Sequence, residues 1–242
     1  MFLSGTLLNV AAVLVGTTIG LIVGTRMPAR LQSTLTDGLG LFVIALGLAQ
    51  TLKLLLDATV PVTSSLAVLG GLLAGAVVGE LLRLSERLDA LGAWFQRRVA
   101  LADQASRTSE AFITASLVFC VGPLTILGSI ENGLTGDFQL LAVKSLLDGI
   151  ASIAFAAALG AGVYLSTIVV LVVQGSIAAA AFLVGSGVDP ALVAVASAVG
   201  GLLLVGVGLR LLEIRQVRVV NFLPALILAP AFLAIAKAIV AS

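Results

Sequence analysis

The chain contains no histidine and one cysteine, Cys120, among its 242 residues. Without histidine there is no serine–histidine triad, and a zinc or copper site is disfavoured because those metals prefer imidazole and thiolate ligands. A lone cysteine cannot form a disulfide within the chain. We therefore expect any bound metal to be a hard cation held by oxygen atoms, and we predict no cofactor and no enzymatic activity.

Charged side chains are also scarce. They make up 10% of the chain, whereas a soluble domain carries about 25%. Hydrophobic residues make up 60%, and the mean hydropathy is +1.22. Such a chain cannot cover its surface with polar groups in water, so its main partner must be the lipid bilayer. The net charge of +1 gives no indication of a nucleic-acid partner.

Long apolar runs predict membrane-spanning helices, because a span needs about 20 apolar residues and its backbone groups must bond internally. The runs lack the alternation of barrel strands. The sequence predicts an all-α, polytopic transmembrane helix bundle with about eight spans, at roughly 5–25, 37–55, 63–82, 109–130, 138–161, 164–186, 190–211 and 220–241.

Three of these spans have an alternative interpretation. The first run resembles a signal peptide, but it lacks a basic start and an obvious cleavage site, so we interpret it as a span. The segments 138–161 and 164–186 form either a hairpin that turns at residues 160–162 or one broken helix followed by a span. A count of seven spans is therefore the alternative to eight.

Arginine placement supports eight spans and sets their orientation. Cytoplasmic loops collect basic residues, and ten of the 13 fall in the first, third and seventh loops: Arg26, Arg30, Arg83, Arg87, Arg97, Arg98, Arg107, Arg210, Arg215 and Arg218. With one span fewer between residues 130 and 190, the seventh loop would lie on the other side. We predict a multi-pass inner-membrane protein with both termini outside.

We expect residues 1–242 to form a single integral membrane domain with one hydrophilic connector, 83–108. Apolar residues recur there at helical spacing, among arginines: Leu81, Leu84, Leu88, Leu91 and Phe95. This pattern predicts an amphipathic helix on the cytoplasmic membrane surface, and a solvated connector is the alternative. Within the spans, "GTTIGLIVG" and "GGLLAGAVVGE" space small residues for close helix packing, inside one chain or between copies in a homo-oligomer such as a homodimer.

A weak internal repeat aligns Asp37 and Gly38 with Asp148 and Gly149. Each pair belongs to the second helix of a three-helix group, and groups with an odd number of spans are inverted relative to each other. The alignment predicts a 3+3 inverted repeat plus two helices, which is common in transporters. A second alignment fits about as well, and it places Gly40 and Gly47 on Gly201 and Gly208.

Polar residues cluster after the fourth span. Pro123 is predicted to kink that span. The glycines that follow are expected to leave the connection to the fifth span conformationally free: Gly128, Gly133 and Gly136. Thr135 or Asp137 is predicted to cap the fifth span, because a side-chain oxygen there can accept its unsatisfied amide hydrogens.

Lys144 and Asp148 lie four residues apart, so they share a helix face and can form an ion pair. At about 1.5 Å per residue, Asp148 lies roughly 16 Å along the helix from Asp137, near the middle of the membrane. A charge there costs at least about 2.5–3.5 kcal/mol. The pair is therefore either purely structural or part of a solute or ion site.

The residues predicted to form that site include an outer vestibule at 131–137. For each neutral residue of the set, the alternative role is a hydrogen bond that holds two helices together. The predicted set is Asp148, Lys144, Ser145, Gln174, Glu131, Asn132, Asp137, Ser116 and Asn9.

The stretch "SLVFCVGPLTILGSIENGLTGDFQLLAVKSLLDGI", followed by "GAGV", "VQGS" and "NFLPAL", resembles the YqgA/YdfK-like family of bacterial membrane proteins, a domain of unknown function, DUF554. The opening "GTLLNVAAVLVGTTIG" is similar to the start of that family. The resemblance covers essentially the whole chain and implies a multi-pass inner-membrane protein with about seven spans. It implies no activity, substrate or cofactor.

Three classes of function fit the polar cluster. The leading hypothesis is a small transporter or permease for a cation or polar solute, with Asp148 central to its site. The second is an oligomeric channel in which Glu131 and Asp137 collect cations at the pore mouth. The third is a scaffold or sensor that binds a partner through segment 83–108. An intramembrane aspartyl protease would need Asp37 to face Asp148 and is disfavoured, so no catalytic residue is predicted.

Overall fold

A computed structural model of the protein describes residues 3–24, 28–57, 60–87, 90, 105–120, 123–184 and 189–241. Over these residues the chain is helical and contains no strand. Its helices are α1 Ser4–Gly24, α2 Ala29–Leu55, α3 Val62–Leu81, α4 Ala105–Cys120, α5 Pro123–Thr135, α6 Gln139–Leu159, α7 Val163–Val184, α8 Pro190–Leu211 and α9 Ala225–Ala241, with a 3₁₀ turn at Val219–Phe222. Most of the predicted amphipathic segment 83–108 lies outside the described residues.

The predicted all-α, multi-span architecture is confirmed. Seven helical segments in the described ranges are long and apolar enough to cross a membrane: Ser4–Gly24, Ser33–Leu55, Val62–Leu81, Gln139–Leu159, Val163–Leu183, Pro190–Leu211 and Val219–Ile239. Helices α4 and α5 pass the same test only as a pair, bent by 58°. Together they correspond to the predicted fourth span, and they raise the count to eight if the pair crosses.

The direction of packed helices favours eight crossings. Gly5 of α1 lies against Leu141 of α6, and Gly20 lies against Ile153, so α1 and α6 run parallel. Parallel spans must be separated by an odd number of crossings. Helices α2 and α3 supply two, and the bent α4–α5 pair supplies the third. Helices α2 and α8 pack antiparallel, so an even number of crossings must separate them. Helices α3, α6 and α7 supply three, and the bent α4–α5 pair again supplies the one that is missing.

The segments 138–161 and 164–186 are two separate helices, so the hairpin interpretation is confirmed and the broken-helix alternative is wrong. Helix α6 ends at Leu159 and α7 begins at Val163. Gly160 between them has a φ of 94°, a conformation that favours glycine because it has no Cβ.

The chain forms two compact units. Unit 1 comprises residues 1–39 and 89–187 and contains α1, α4, α5, α6 and α7. In its described part, α1 packs along α6 through glycines. A Cβ at Gly16 would overlap Gly149 O and the Ser152 side chain, and one at Gly20 would overlap Ile153 O. The close approach that small residues permit in lipid is therefore used inside the chain, between helices far apart in sequence.

Unit 2 comprises residues 40–88 and 188–242. There, Gly47 of α2 lies against Gly201 of α8, and Gly40 O lies beside Gly208, so the two helices are antiparallel. The glycines of the second sequence alignment are thus packing partners. A second antiparallel pair places Gly71, Gly75 and Gly79 of α3 against residues Ala229, Ala225 and Asn221.

Candidate functional site

Buried polar side chains are concentrated in unit 1. Four are buried in the described part of unit 2, and fifteen in that of unit 1: Thr6, Asn9, Thr17, Ser109, Thr114, Thr125, Ser129, Asn132, Lys144, Ser145, Asp148, Ser152, Ser166, Thr167 and Gln174. A buried polar group is costly unless it is hydrogen-bonded. This concentration therefore indicates that a functional site lies in the interior of unit 1.

The centre of the unit 1 interior is a buried ion pair on α6. Lys144 Nζ donates to both Asp148 oxygens, at 2.9 Å to Oδ1 and 2.7 Å to Oδ2, and each residue is 5% exposed. Asn9 of α1 donates a third bond from Nδ2 to Asp148 Oδ2 at 2.9 Å. The four-residue spacing predicted the pair, and Asp148 lies near the middle of the 21-residue helix.

Ser145, predicted to join the site, is buried one turn from Asp148. Its hydroxyl donates to Leu141 O at 2.6 Å. The Ser152 hydroxyl likewise donates to Gly149 O at 2.7 Å. Both donors bond to the backbone of their own helix, so neither contributes a hydrogen bond to the Asp148 carboxylate.

The bend between α4 and α5 lies at the level of the ion pair. On α6, Leu141 contacts Gly128 of α5, whereas the Phe155 ring meets Phe119 of α4 edge-on at 6.0 Å. Lys144 and Asp148 lie between these two contacts. The end of α4 at Cys120 and the start of α5 at Pro123 therefore lie at the level of the buried charges.

The predicted free connection at Gly128 and Gly133 is wrong. Both residues lie within α5, where Gly128 packs on Leu141 and Gly133 packs on Ala178 of α7. They are glycines because neighbouring helices approach closely there. Gly136 alone of the three has a positive φ, 78°, and it ends the helix.

The predicted vestibule residues do different things. Asn132 is buried, accepts a hydrogen bond from Gly5 N at 3.2 Å and donates to Ser4 Oγ and Gly136 O. It thereby joins the start of α1 to α5. Asp137 is exposed and accepts from Gln139 N at 2.9 Å, so it satisfies the first amide of α6 as predicted, from the position before the N-cap residue Phe138. Glu131 is half-buried. Asn132 and Asp137 therefore form their hydrogen bonds at helix ends and not with Asp148.

Six side chains of unit 1 hold buried polar atoms that form no hydrogen bond within the described structure. These atoms are Thr6 Oγ1, Asn9 Oδ1, Thr17 Oγ1, Ser116 Oγ, Ser129 Oγ and both Gln174 amide atoms. Each such atom costs about 1–3 kcal/mol. Native interiors rarely keep so many, so the geometry favours a polar species as their partner.

Sequence reasoning identified Asn9, Ser116 and Gln174 but missed Thr6, Thr17 and Ser129. A signal for Thr6 and Ser129 was available. Thr6 precedes Asn9 by three residues, and Ser129 precedes Asn132 by three, so each lies on the same helix face as a residue that was identified.

The described residues contain no group of three His, Cys, Asp or Glu side chains able to hold a metal. Unit 2 has a polar cluster in which Asn221 accepts from Ser85 N and Oγ and donates to Glu80. Glu80 also pairs with Arg218 at 2.9 Å. Because its carboxamide is bonded through both atoms, Asn221 acts as a structural connector.

Comparison with known proteins matches residues 4–234 to the family described as "Protein of unknown function (DUF554)". The chain is 31% identical over 226 residues to "Uncharacterized membrane protein YdfK" of Bacillus subtilis (strain 168), covering 93% of each chain. It is 33% identical over 228 residues to "Uncharacterized protein YqgA" of Escherichia coli (strain K12), covering 93% of this chain and 94% of the other. No solved structure matches.

Proposed function

This chain belongs to the DUF554 family of membrane proteins, and we propose that it is a small-solute or cation transporter of the inner membrane. Its site lies in the interior of unit 1 around Asp148. The observation that carries the proposal is the ion pair Lys144–Asp148, buried in the middle of a span within a unit whose interior holds several polar atoms without partners in the described structure. Ionisable residues at such positions in membrane proteins are usually functional.

The bent fourth span supports the same proposal. Transporters place solute and ion sites where helices are discontinuous, because the ends supply backbone donors and acceptors inside the membrane. Here Cys120 ends one helix and Pro123 begins the next, at the level of the ion pair. One of the freed groups is bonded locally, since Thr125 Oγ1 donates to Phe119 O at 3.0 Å.

Flux measurements on proteoliposomes test the proposal. The purified protein is screened against alkali and alkaline-earth cations, amino acids, sugars and small amides. Asp148→Asn is compared with Asp189→Asn, a matched control because Asp189 also bonds a lysine, Lys237, but at an exposed position. We expect saturable flux of one solute class in the wild type and the control, and a reduction on the order of tenfold or more in Asp148→Asn, as loss of a charged hydrogen bond predicts.

Two outcomes contradict the proposal: wild-type flux of the whole panel at the rate of empty liposomes, or equal flux through the wild type and Asp148→Asn. Bilayer recordings separate the alternative class, because unitary currents indicate an oligomeric channel, whereas saturable flux without them indicates a carrier.

A further inference from the structure

We propose that Gln174, Ser129 and Thr6 form the solute-recognition layer of this site, and that the solute is a neutral amide-type molecule, with a hydrogen-bond donor beside an acceptor. The inference rests on the proposed function and specifies its substrate class. In this inference Lys144 and Asp148 have a different role: they form an ion pair without net charge that lies next to the bound solute.

Gln174 is the strongest observation. It lies within α7, is 0% exposed, and neither Nε2 nor Oε1 makes a hydrogen bond to the part of the chain that the structure describes. A buried carboxamide kept for structure is bonded, as Asn221 is through both atoms. A carboxamide whose donor and acceptor are both unbonded can bind a ligand that offers an acceptor beside a donor. An amide group in the ligand offers both.

Ser129 lies beside Gln174 by helix register. The bent α4–α5 pair follows α7 in the same direction, because Gly162 just before α7 lies against Thr108 and Ala111 of α4, and Gly133 of α5 lies against Ala178 farther along α7. One turn back from the Gly133–Ala178 contact, α5 presents Ser129 and α7 presents Gln174. Both are fully buried, and the Ser129 hydroxyl has no partner in the described structure.

Thr6 reaches the same layer from α1. The bond between Gly5 N and Asn132 Oδ1 fixes the start of α1 beside α5, and Leu3 contacts the position of Gly175 on α7. Thr6 is fully buried, with an unpartnered hydroxyl. One turn farther along α1 is Asn9, whose Nδ2 bonds Asp148 while its Oδ1 is unpartnered. The layer therefore lies about one turn from the ion pair.

The charge balance excludes an ion as the preferred ligand of this layer. Among the described residues, Lys144 and Asp148 are the buried charged side chains, and each neutralises the other. A cation would have to displace the Lys144 ammonium from both Asp148 oxygens, and an anion would have to displace the carboxylate. A neutral solute leaves the pair intact and bonds the amide and hydroxyl groups.

The test is the melting temperature of the purified protein with acetamide, its anionic isostere acetate, or sodium chloride. We expect acetamide to raise the wild-type melting temperature saturably, and acetate at matched ionic strength to have no more effect than sodium chloride. Gln174→Leu should melt higher than the wild type without solute, because it removes a buried amide that has no partner, and it should lose the acetamide shift.

Ser166→Ala is the control, since Ser166 is buried on the same helix but bonds Val163 O; it should keep the acetamide shift. The inference is overturned if acetamide fails to stabilise the wild type, if the shift survives in Gln174→Leu, or if Gln174→Leu melts lower without solute, as loss of a structural bond would cause. Cation flux that depends on Asp148 but not on Gln174 would overturn this inference and leave the proposed transport function standing.

Discussion

Asp148 keeps a charge inside the bundle because donors from two helices reach it. Lys144 supplies two bonds and Asn9 a third. In a low-dielectric interior the attraction between the charges offsets their desolvation only while both are present. The two residues are therefore coupled, and the loss of either leaves the other as an uncompensated charge.

Lys144→Ala should damage the protein more than the double variant Lys144→Ala with Asp148→Ala. An unpaired buried charge costs about 3–5 kcal/mol, and the double variant carries none. Melting temperature and yield of folded protein measure the difference, and flux separates the two roles of the pair. A structural pair predicts that the double variant recovers flux together with folding, whereas a role for Asp148 in binding predicts a folded, inactive protein. Wild-type stability in both single variants would show that the charges do not depend on each other.

Asp189 offers a pH test outside the spans. The hydrogen bond from Lys237, assisted by that from Ala191 N, lowers the pKa of its carboxyl below the ordinary value. A lowered folded-state pKa means that the stabilisation is complete above the unfolded-state pKa of about 3.9 and is lost as pH falls through the folded-state pKa. Asp189→Asn should thus melt slightly below the wild type at pH 6, and the gap should close in stronger acid. A gap that is constant with pH would contradict this.

At the scale of single residues, the sequence predicts those contacts that are determined by the spacing of residues close together in the chain. The i, i+4 rule predicted the ion pair of Lys144 with Asp148, and the order of polar residues predicted the bond of Asp137 to the first amide of α6. The bond from Asn9 joins residues 139 positions apart, and no local pattern carries that information. Ser145 was placed on the correct face, but its hydroxyl bonds its own backbone, an alternative that spacing does not distinguish.

Glycine determines how helices pair in this protein. The glycines of α1 admit the backbone of α6, and those of α2 and α8 admit each other. The sequence motifs predicted close contact but gave no partner. Gly128 and Gly133 were interpreted as breakers, because glycine destabilises a helix in water. In this bundle they pack against Leu141 and Ala178, and tertiary contact outweighs intrinsic preference.

Gly16→Ala should destabilise the protein, by about 1–3 kcal/mol as overpacking usually does, because its methyl group would overlap Gly149 O and the Ser152 side chain. Gly38→Ala is the matched control. Gly38 is exposed within α2 and nothing lies within 4 Å of a Cβ there, so the change should be neutral or stabilising by up to about 1 kcal/mol. Melting temperatures of the two variants provide the comparison, and equal values would show that α1 does not depend on close approach to α6.

At the scale of the whole molecule, the sequence predicted the all-α membrane class but not which helices pack together. Hydropathy and arginine placement predicted an all-α bundle of about eight spans. Yet α1 packs on α6, α2 on α8 and α3 on α9, and apolar helices of similar composition give no sign of these choices. The predicted inverted repeat stays a prediction. Asp37 is exposed whereas its aligned counterpart Asp148 is buried.

An even number of crossings places both termini on one side, and the arginine distribution predicts that this side is outside. In a Cys120→Ser background, single cysteines added at either terminus should react with a membrane-impermeant maleimide in intact spheroplasts. A cysteine at the exposed position Arg87 should react only after permeabilisation. Labelling of the two termini from opposite sides would require an odd number of crossings and contradict the span count.

The parallel pairing of α1 with α6 dictates the timing of assembly. Helix α1 leaves the ribosome first, but α6 begins at Gln139, more than halfway along the chain. During that interval Asn9 and the glycine stripe of α1 face lipid or the insertion machinery without their native partner. A nascent chain that stops at Thr135 holds this unfinished surface in the bilayer, so membrane quality-control proteases should degrade it, whereas a chain that extends beyond Leu159 can close α1 against α6.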